Sequence, residues 1–335
     1  MSALLSDLVA PASPTVSAQP CLIVNPLSFR ASKGGLAARA TALARRYGAE
    51  VIQASEPAQL HVVLEMLRRR RQTVIFVLSG DGTVQAIVQY LALLPAGAWA
   101  PQLLLFGGGR TNMTARNFGG RGAVRDLESA LRRCRDGRAF EVQDHRLLRI
   151  EQEGAPAQHG FFLAAAMIDS GIRLCRQHRR AGRGWLHDSV VSDPYCLIKL
   201  AVRVMLGRST LPPYSQLRIA TDTGDLLSGP SRVLLATTLS HCHGLYNPYA
   251  ERGPGAIRVT AVTAAATRFW RRLPGLLTGH FTPAMNLQDG YLSGSYDCIE
   301  VMGLGGYSLD GETFDTDPAR PVLIRGGPHL RILQP

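Results

Sequence analysis

From Cys21 to about Phe140, short unbroken apolar runs alternate with longer stretches whose apolar residues recur at helical spacing. The runs are CLIV at Cys21, VIFVL at Val74 and QLLLF at Gln102, with the shorter, polar-ended EVIQ at Glu50 between the first two. The helical stretches cover Leu36 to Tyr47, Leu60 to Arg71, Val84 to Leu94 and Val124 to Arg135, the last closing at Gly137. Strands without polar alternation are buried on both faces, which predicts a doubly wound α/β unit with a parallel sheet. After Phe140 the runs shorten or alternate: HRLLRIEQ, GFFLAAAMI, SQLRIATD, RVLLATTLS, AIRVTAV, YDCIEVMG and PVLIRG. Gly, Pro and Asp punctuate them, predicting a β-rich second part with one helical insertion near Val190 to Leu206.

A chain of 335 residues suits two such domains. The expected division is a disordered leader over 1–20, an α/β nucleotide-binding domain over 21–140 and a β-rich domain over 141–335, whose last segment returns to the first. No apolar run reaches the roughly 18 residues that span a bilayer, and Asp7 and Pro11 break up the leader's apolar patch. A cytoplasmic location is expected. The six cysteines are scattered with no C-x-x-C pair, and His241-Cys242-His243 has no second cluster at zinc spacing, so neither a disulfide framework nor a zinc site is expected. The formal charge of +12 attracts polyanions, although a solvated arginine-rich surface accounts for much of it. With 7% aromatic residues and no nucleic-acid-binding pattern, nucleic acid ranks behind anionic lipid and nucleotide.

Candidate chemistry collects at three strand ends, where open α/β sheets bind ligands. Asn25-Pro26-Leu27-Ser28 follows CLIV, Ser79-Gly80-Asp81-Gly82-Thr83 follows VIFVL, and Gly107-Gly108-Gly109-Arg110-Thr111-Asn112 follows QLLLF. Glycines admit a phosphate close to the backbone, and helix N-terminal amides point at its oxygens. Each loop alone reads equally as a turn. None fits the Walker lysine pattern or the dinucleotide fingerprint, which disfavours a P-loop ATPase and a dehydrogenase.

NP-x-S, S-GDGT and GG-x-TN-x-x-AR in this order, with Leu309-Asp310-Gly311-Glu312 late in the chain, resemble the diacylglycerol kinase catalytic domain family, which includes bacterial lipid kinases, ceramide kinases and sphingosine kinases. The resemblance spans about Cys21 to Leu333. It implies a C-terminal β-sandwich-like domain with the active site in the cleft between the two domains, and ATP-dependent phosphorylation of a lipid such as diacylglycerol. By the same resemblance Asn25, Pro26, Ser28, Ser79, Gly80, Gly82, Thr83, Gly109, Arg110, Thr111 and Asn112 hold ATP. Asp81 lies by the γ-phosphate, acting through Mg²⁺ or on the acceptor hydroxyl, and Asp310 and Glu312 are the further cleft carboxylates, one of them the base. On its own, Asp310-Gly311-Glu312 also reads as a β-turn.

Several positions depart from the family pattern. Ser79 stands for a glycine, Arg110 for a threonine, and Met113 for the acid that often follows the asparagine. Gly255-Ala256-Ile257-Arg258-Val259 lacks the acid of a structural Mg²⁺ site, so that ion is not expected. On the acceptor side, the run Arg173, Arg176, Arg179, Arg180, Arg183 with Trp185, and Trp270 among Arg268, Arg271 and Arg272, each suit either an anionic membrane or an ordinary protein surface. The leading expectation is a peripherally membrane-associated lipid kinase, oligomeric state open and a homo-oligomer included. Its alternatives are a NAD kinase-like soluble kinase and a degenerate, non-catalytic lipid- or nucleotide-binding module.

Overall fold

The computed structural model describes residues 19–109, 112–120, 123–180, 214–239 and 247–334, except the side chains of Met113 and residues 174–180. Four parallel strands, β1 (Cys21–Val24), β2 (Glu50–Gln53), β3 (Val74–Ser79) and β4 (Gln102–Gly107), stand in the order β2-β1-β3-β4. Side chains leave each strand on alternate faces, and both faces are covered. Ile23, Val77 and Leu105 meet α2 (Pro57–Arg69) and α3 (Asp81–Ala92) through Leu64, Val84 and Val88. Leu22, Phe76 and Leu104 meet α1 (Leu36–Arg46) and α5 (Ala123–Arg135) through Ala40, Ala44 and Leu127. The short α4 (Met113–Asn117) follows β4. This two-sided burial explains the apolar runs of β1, β3 and β4, while the edge strand β2 is exposed at both ends and half-buried between, and the α/β doubly wound expectation holds.

Helix starts differ from the apolar pattern in two instructive places. α2 opens at Pro57 because Glu56 and Gln59 form a reciprocal capping box ahead of the first apolar residue. α3 opens at Asp81, so the glycine loop after β3 is already the first turn of a helix, with Gly80 as its N-cap.

The remaining strands are β5 (Val142–Gln152), β6 (Gln158–Gly160), β7 (Phe162–Ala166), β8 (Ser215–Thr221), β9 (Leu226–Thr237), β10 (Ile257–Thr263), β11 (Tyr291–Tyr296), β12 (Cys298–Met302), β13 (Gly306–Leu309), β14 (Glu312–Asp315) and β15 (Val322–Leu333). β9 pairs with β8 through its first half and with β7 and β10 through its second, so it passes from one layer to another. Leu163, Leu234 and Val259 of one layer and Ile219, Ile299 and Ile324 of the other share one core, a sandwich-like arrangement. β15 starts in that sandwich, antiparallel to β12 and β5, and ends parallel to β4 with Ile332 opposite Leu103.

The β-rich part also holds two helices that the apolar pattern does not mark, α6 (Met167–Arg180) and α7 (Phe269–Thr278). GFFLAAAMI reads as one strand, but Ala166 turns the chain with φ 60° and Met167 begins α6. The helix expected near Val190 to Leu206, the His241-Cys242-His243 segment and most of the leader lie outside the described residues. Among the described residues no helix is long and apolar enough to cross a membrane.

Candidate active site

The three strand-end loops interlock. The Asn25 N–H donates to Leu78 O at 3.1 Å, and Asn25 Nδ2 donates to Thr83 Oγ1 at 2.9 Å, tying the end of β1 to the first turn of α3. Ser28 Oγ accepts the Gly80 N–H at 3.0 Å. The Gly108 N–H donates to Ser79 O at 2.8 Å, and Gly108 O in turn accepts the N–H of Arg30 at 2.8 Å. Asn112, buried and left-handed with φ 52°, closes the third loop by accepting the Gly109 N–H at 2.6 Å and donating to Gly109 O at 3.0 Å. Gly80 and Gly109 touch backbone to backbone: a Cβ on Gly109 would lie 2.5 Å from Gly80 Cα. Pro26 sits half-buried between Asn25 and the exposed Leu27. Arg110 and Thr111 lie outside the described residues.

Three carboxylates converge on this frame. Asp81 occupies the first helical position of α3, partly exposed, with its Oδ1 accepting the Thr114 N–H at 3.3 Å. Glu312 reaches the same turn from the β-rich layer, since a Cβ on Gly82 would lie 2.8 Å from Glu312 Oε1. Both stand where the unpaired amides of a helix N-terminus favour negative charge. Asp310 and Gly311, with φ 49° and 87°, form the two-residue turn between β13 and β14, where Leu309 pairs with Glu312. The β-turn reading of this motif is therefore right about the backbone, and the side chain adds what a surface turn would not have.

Asp310 is buried, at 4% exposure, and both of its oxygens accept backbone amides at 2.9 Å, Oδ2 from Phe161 and Oδ1 from Phe162. Its own N–H donates to Phe162 O at 2.9 Å. Burial pushes its carboxyl up to about 7; the two amides pull the other way, and the nearby charge of Asp81 adds to the rise. Room for it exists because residue 160 is glycine: a Cβ there would lie 2.5 Å from Asp310 Oδ2. Asp310 thus staples the β13–β14 turn to the start of β7, and Glu312 is presented as a result.

Other parts of the support leave no motif in the sequence. Gln89 of α3 accepts the His159 N–H at 2.8 Å and donates to Ala157 O at 2.9 Å, fastening β6 to the helix that carries Asp81. Behind Asp310, the rings of Phe118, His145 and Phe161 pack edge to face or tilted at 5.1 to 5.6 Å. Burial, with His329 adding, holds His145 down at about 4, and burial, with Arg149 adding, does the same for His159. The only advance signal is a histidine on an otherwise buried strand face, which most often means a packed core.

Over a third of the chain, in its N-terminal part, matches a known family model. It is the diacylglycerol kinase catalytic domain, over residues 19–144. The whole fold is also similar to solved structures from Bacillus anthracis str. Sterne. One is of a candidate diacylglycerol kinase, with TM-score 0.65 and 14% identity, covering 95% of this chain and 97% of that one. Another, of a diacylglycerol kinase, has TM-score 0.60 and 14% identity over the same shares. No curated protein matches the sequence. Within the matched residues, the departure at Ser79 costs nothing visible: the residue is buried and its hydroxyl donates to Gly80 O at 3.2 Å. Asp310 and Glu312 lie beyond the matched residues and reach the site through the fold.

Proposed function

We propose that the chain is an ATP-dependent lipid kinase that moves the γ-phosphate of ATP to a hydroxyl of diacylglycerol or a related lipid. The observation that carries this reading is the meeting of Asp81 and Glu312 over the first turn of α3, beside the three interlocked loops. Phosphoryl transfer is mostly positioning and charge stabilisation, with a base for the attacking hydroxyl. The close backbone approaches at Gly80, Gly82 and Gly109 and the α3 amides suit the phosphates. Mg²⁺ is commonly held by one or two carboxylates plus substrate phosphates, and Asp81, at the first turn of α3, fits that need. The ion would offset charge on the phosphoryl oxygens. Among the described residues no group of three or more His, Cys, Asp or Glu is arranged to hold a metal without such help.

Asp81 belongs to the nucleotide side, on the helix whose amides face the phosphates. Glu312 arrives from the β-rich layer, the side from which an acceptor would come, and is assigned as the base. Asp310, with both oxygens taken by amides, is a positioning residue. The working surface on this reading is a membrane, where the lipid resides.

Labelled ATP with Mg²⁺, offered to a panel of lipid vesicles and in parallel to NAD, tests the proposal. Label in a lipid is expected, and Glu312→Gln should lower the rate by ~10²- to 10⁴-fold while the folded protein keeps its nucleotide affinity. Label in NAD alone, or nucleotide bound with nothing phosphorylated, overturns it.

A further inference from the structure

α7 turns an apolar stripe away from the protein. Trp270, Pro274 and Leu277 follow at spacings of four and three and so share one helical face. Trp270 is 51% exposed and Leu277 39%. The helix does not need this face for its own packing, because Leu276 is buried with Val262, Met285 and Tyr291, and Phe269 and Leu273 pack against the same cluster. The outward face of a surface helix is ordinarily polar. Here apolar residues occupy both faces.

The charge on α7 itself has one sign, and the acid beside its start, Asp289, is engaged by Thr267 Oγ1 at 2.7 Å and faces Arg272 at 4.0 Å. Between Glu251 and Asp289 the sequence contains no acidic residue, yet it contains Arg252, Arg258, Arg268, Arg271 and Arg272. Arg272 turns inward, over the Tyr291 ring at 5.4 Å and onto Thr267 Oγ1 at 2.8 Å. Arg268, at the N-cap, and Arg271, beside Trp270, are exposed. An indole flanked by guanidinium groups suits the boundary of a bilayer, where the ring sits at headgroup level and the cations meet lipid phosphates. A second copy of the chain suits it poorly, since a two-fold contact through so short a helix would bring the arginines of both copies together.

We infer that α7 docks the protein on an anionic bilayer, with Trp270 and Leu277 entering the headgroup boundary and Arg268 and Arg271 against lipid phosphates. The location agrees with use beside the carboxylate site. α7 lies at the level of Val262 and Val233, and Phe162, which holds Asp310, pairs with Thr237, four residues or ~13 Å further along β9. Docking does not depend on the phosphoryl-transfer reading, and neither does its test.

The measurement is partition of the full chain onto vesicles of phosphatidylcholine alone and of equimolar phosphatidylcholine and phosphatidylglycerol. The chain has three tryptophans, so Trp99→Phe with Trp185→Phe leaves Trp270 as the reporter. Its emission should be quenched by bromine-labelled acyl chains only on the anionic vesicles. In the otherwise native chain, Arg268→Gln and Arg271→Gln should each weaken partition about fivefold, and Trp270→Ala with Leu277→Ala should weaken it further. Three outcomes overturn the inference: no partition onto anionic vesicles; partition unchanged by all four substitutions; or stripe substitutions that shift a monomer–dimer equilibrium in sedimentation and leave vesicle binding alone.

Discussion

Replacing Gly109 with alanine tests the idea that the strand-end loops form one rigid frame. The new methyl would lie 2.5 Å from Gly80 Cα and 3.2 Å from Asn112 Oδ1. Carbon atoms pack comfortably at ~3.5 Å or more, so the loops must part by about 1 Å. Neither can give way alone. Gly80 is held by Ser28 Oγ at 3.0 Å, Gly108 by Ser79 O at 2.8 Å, and Gly109 itself by Asn112 at 2.6 Å. Overpacking of this kind costs about 1–3 kcal/mol, and a 1 Å misplacement of groups that position a reacting phosphate costs ~10²-fold in rate. Gly305→Ala is the matched control, since that glycine has nothing within 4 Å and no left-handed φ, and its effect should stay within about 0.5 kcal/mol. Urea denaturation reads the first quantity and initial rates of ATP-dependent labelling the second. A Gly109→Ala protein with native midpoint and native rate would refute the frame.

Asp310→Ala removes the acceptor for two buried amides, at about 1–3 kcal/mol each, and should lower the denaturation midpoint at pH 7 without touching Glu312 directly; an unchanged midpoint contradicts the staple. Asp310 also titrates with an unusual sign. Its folded value of about 7 exceeds the unfolded 3.8, so the stability tied to its proton is present below 3.8 and is lost as pH rises through 7. His145 and His159 act the other way: with folded values of about 4 against 6.5 unfolded, they leave stability intact above 6.5 and lower it as pH falls towards 4. Two protons against one leave a net loss of ~1.4 kcal/mol for each unit of acidification between about pH 6.5 and 4.5, and in Asp310→Ala the slope should roughly double. Denaturation midpoints across that range check both slopes, and a flat profile would contradict the buried histidines.

The α/β half was legible because its signals are local: two-sided strands, helical spacing, glycines at strand ends. The turn at Asp310-Gly311 was legible for the same reason. What the Asp310 carboxylate does there was not, because its burial depends on Gly160, and its partners are amides of Phe161 and Phe162, far away in sequence. Arg173 misleads in the same way. Within a run of basic residues it looks like surface charge, yet it pairs with Asp169 at 2.6 Å and Asp315 at 2.7 Å and donates to Phe314 O, binding α6 to β14. The side chains of Arg176, Arg179 and Arg180, together with Arg183 and Trp185, lie outside the described residues.

β15 gives the family match an unexpected status. Residues 19–144 contain every helix and strand of the parallel sheet except the neighbour of β4, which arrives about 230 residues later as Arg331 and Ile332. Excised, that stretch would show a bare β4 edge and lose Leu330, Ile332 and Leu333 from the packing on its two faces. Unpaired apolar edges recruit other chains. The segment most readily recognised as a catalytic domain is therefore expected to self-associate when made alone.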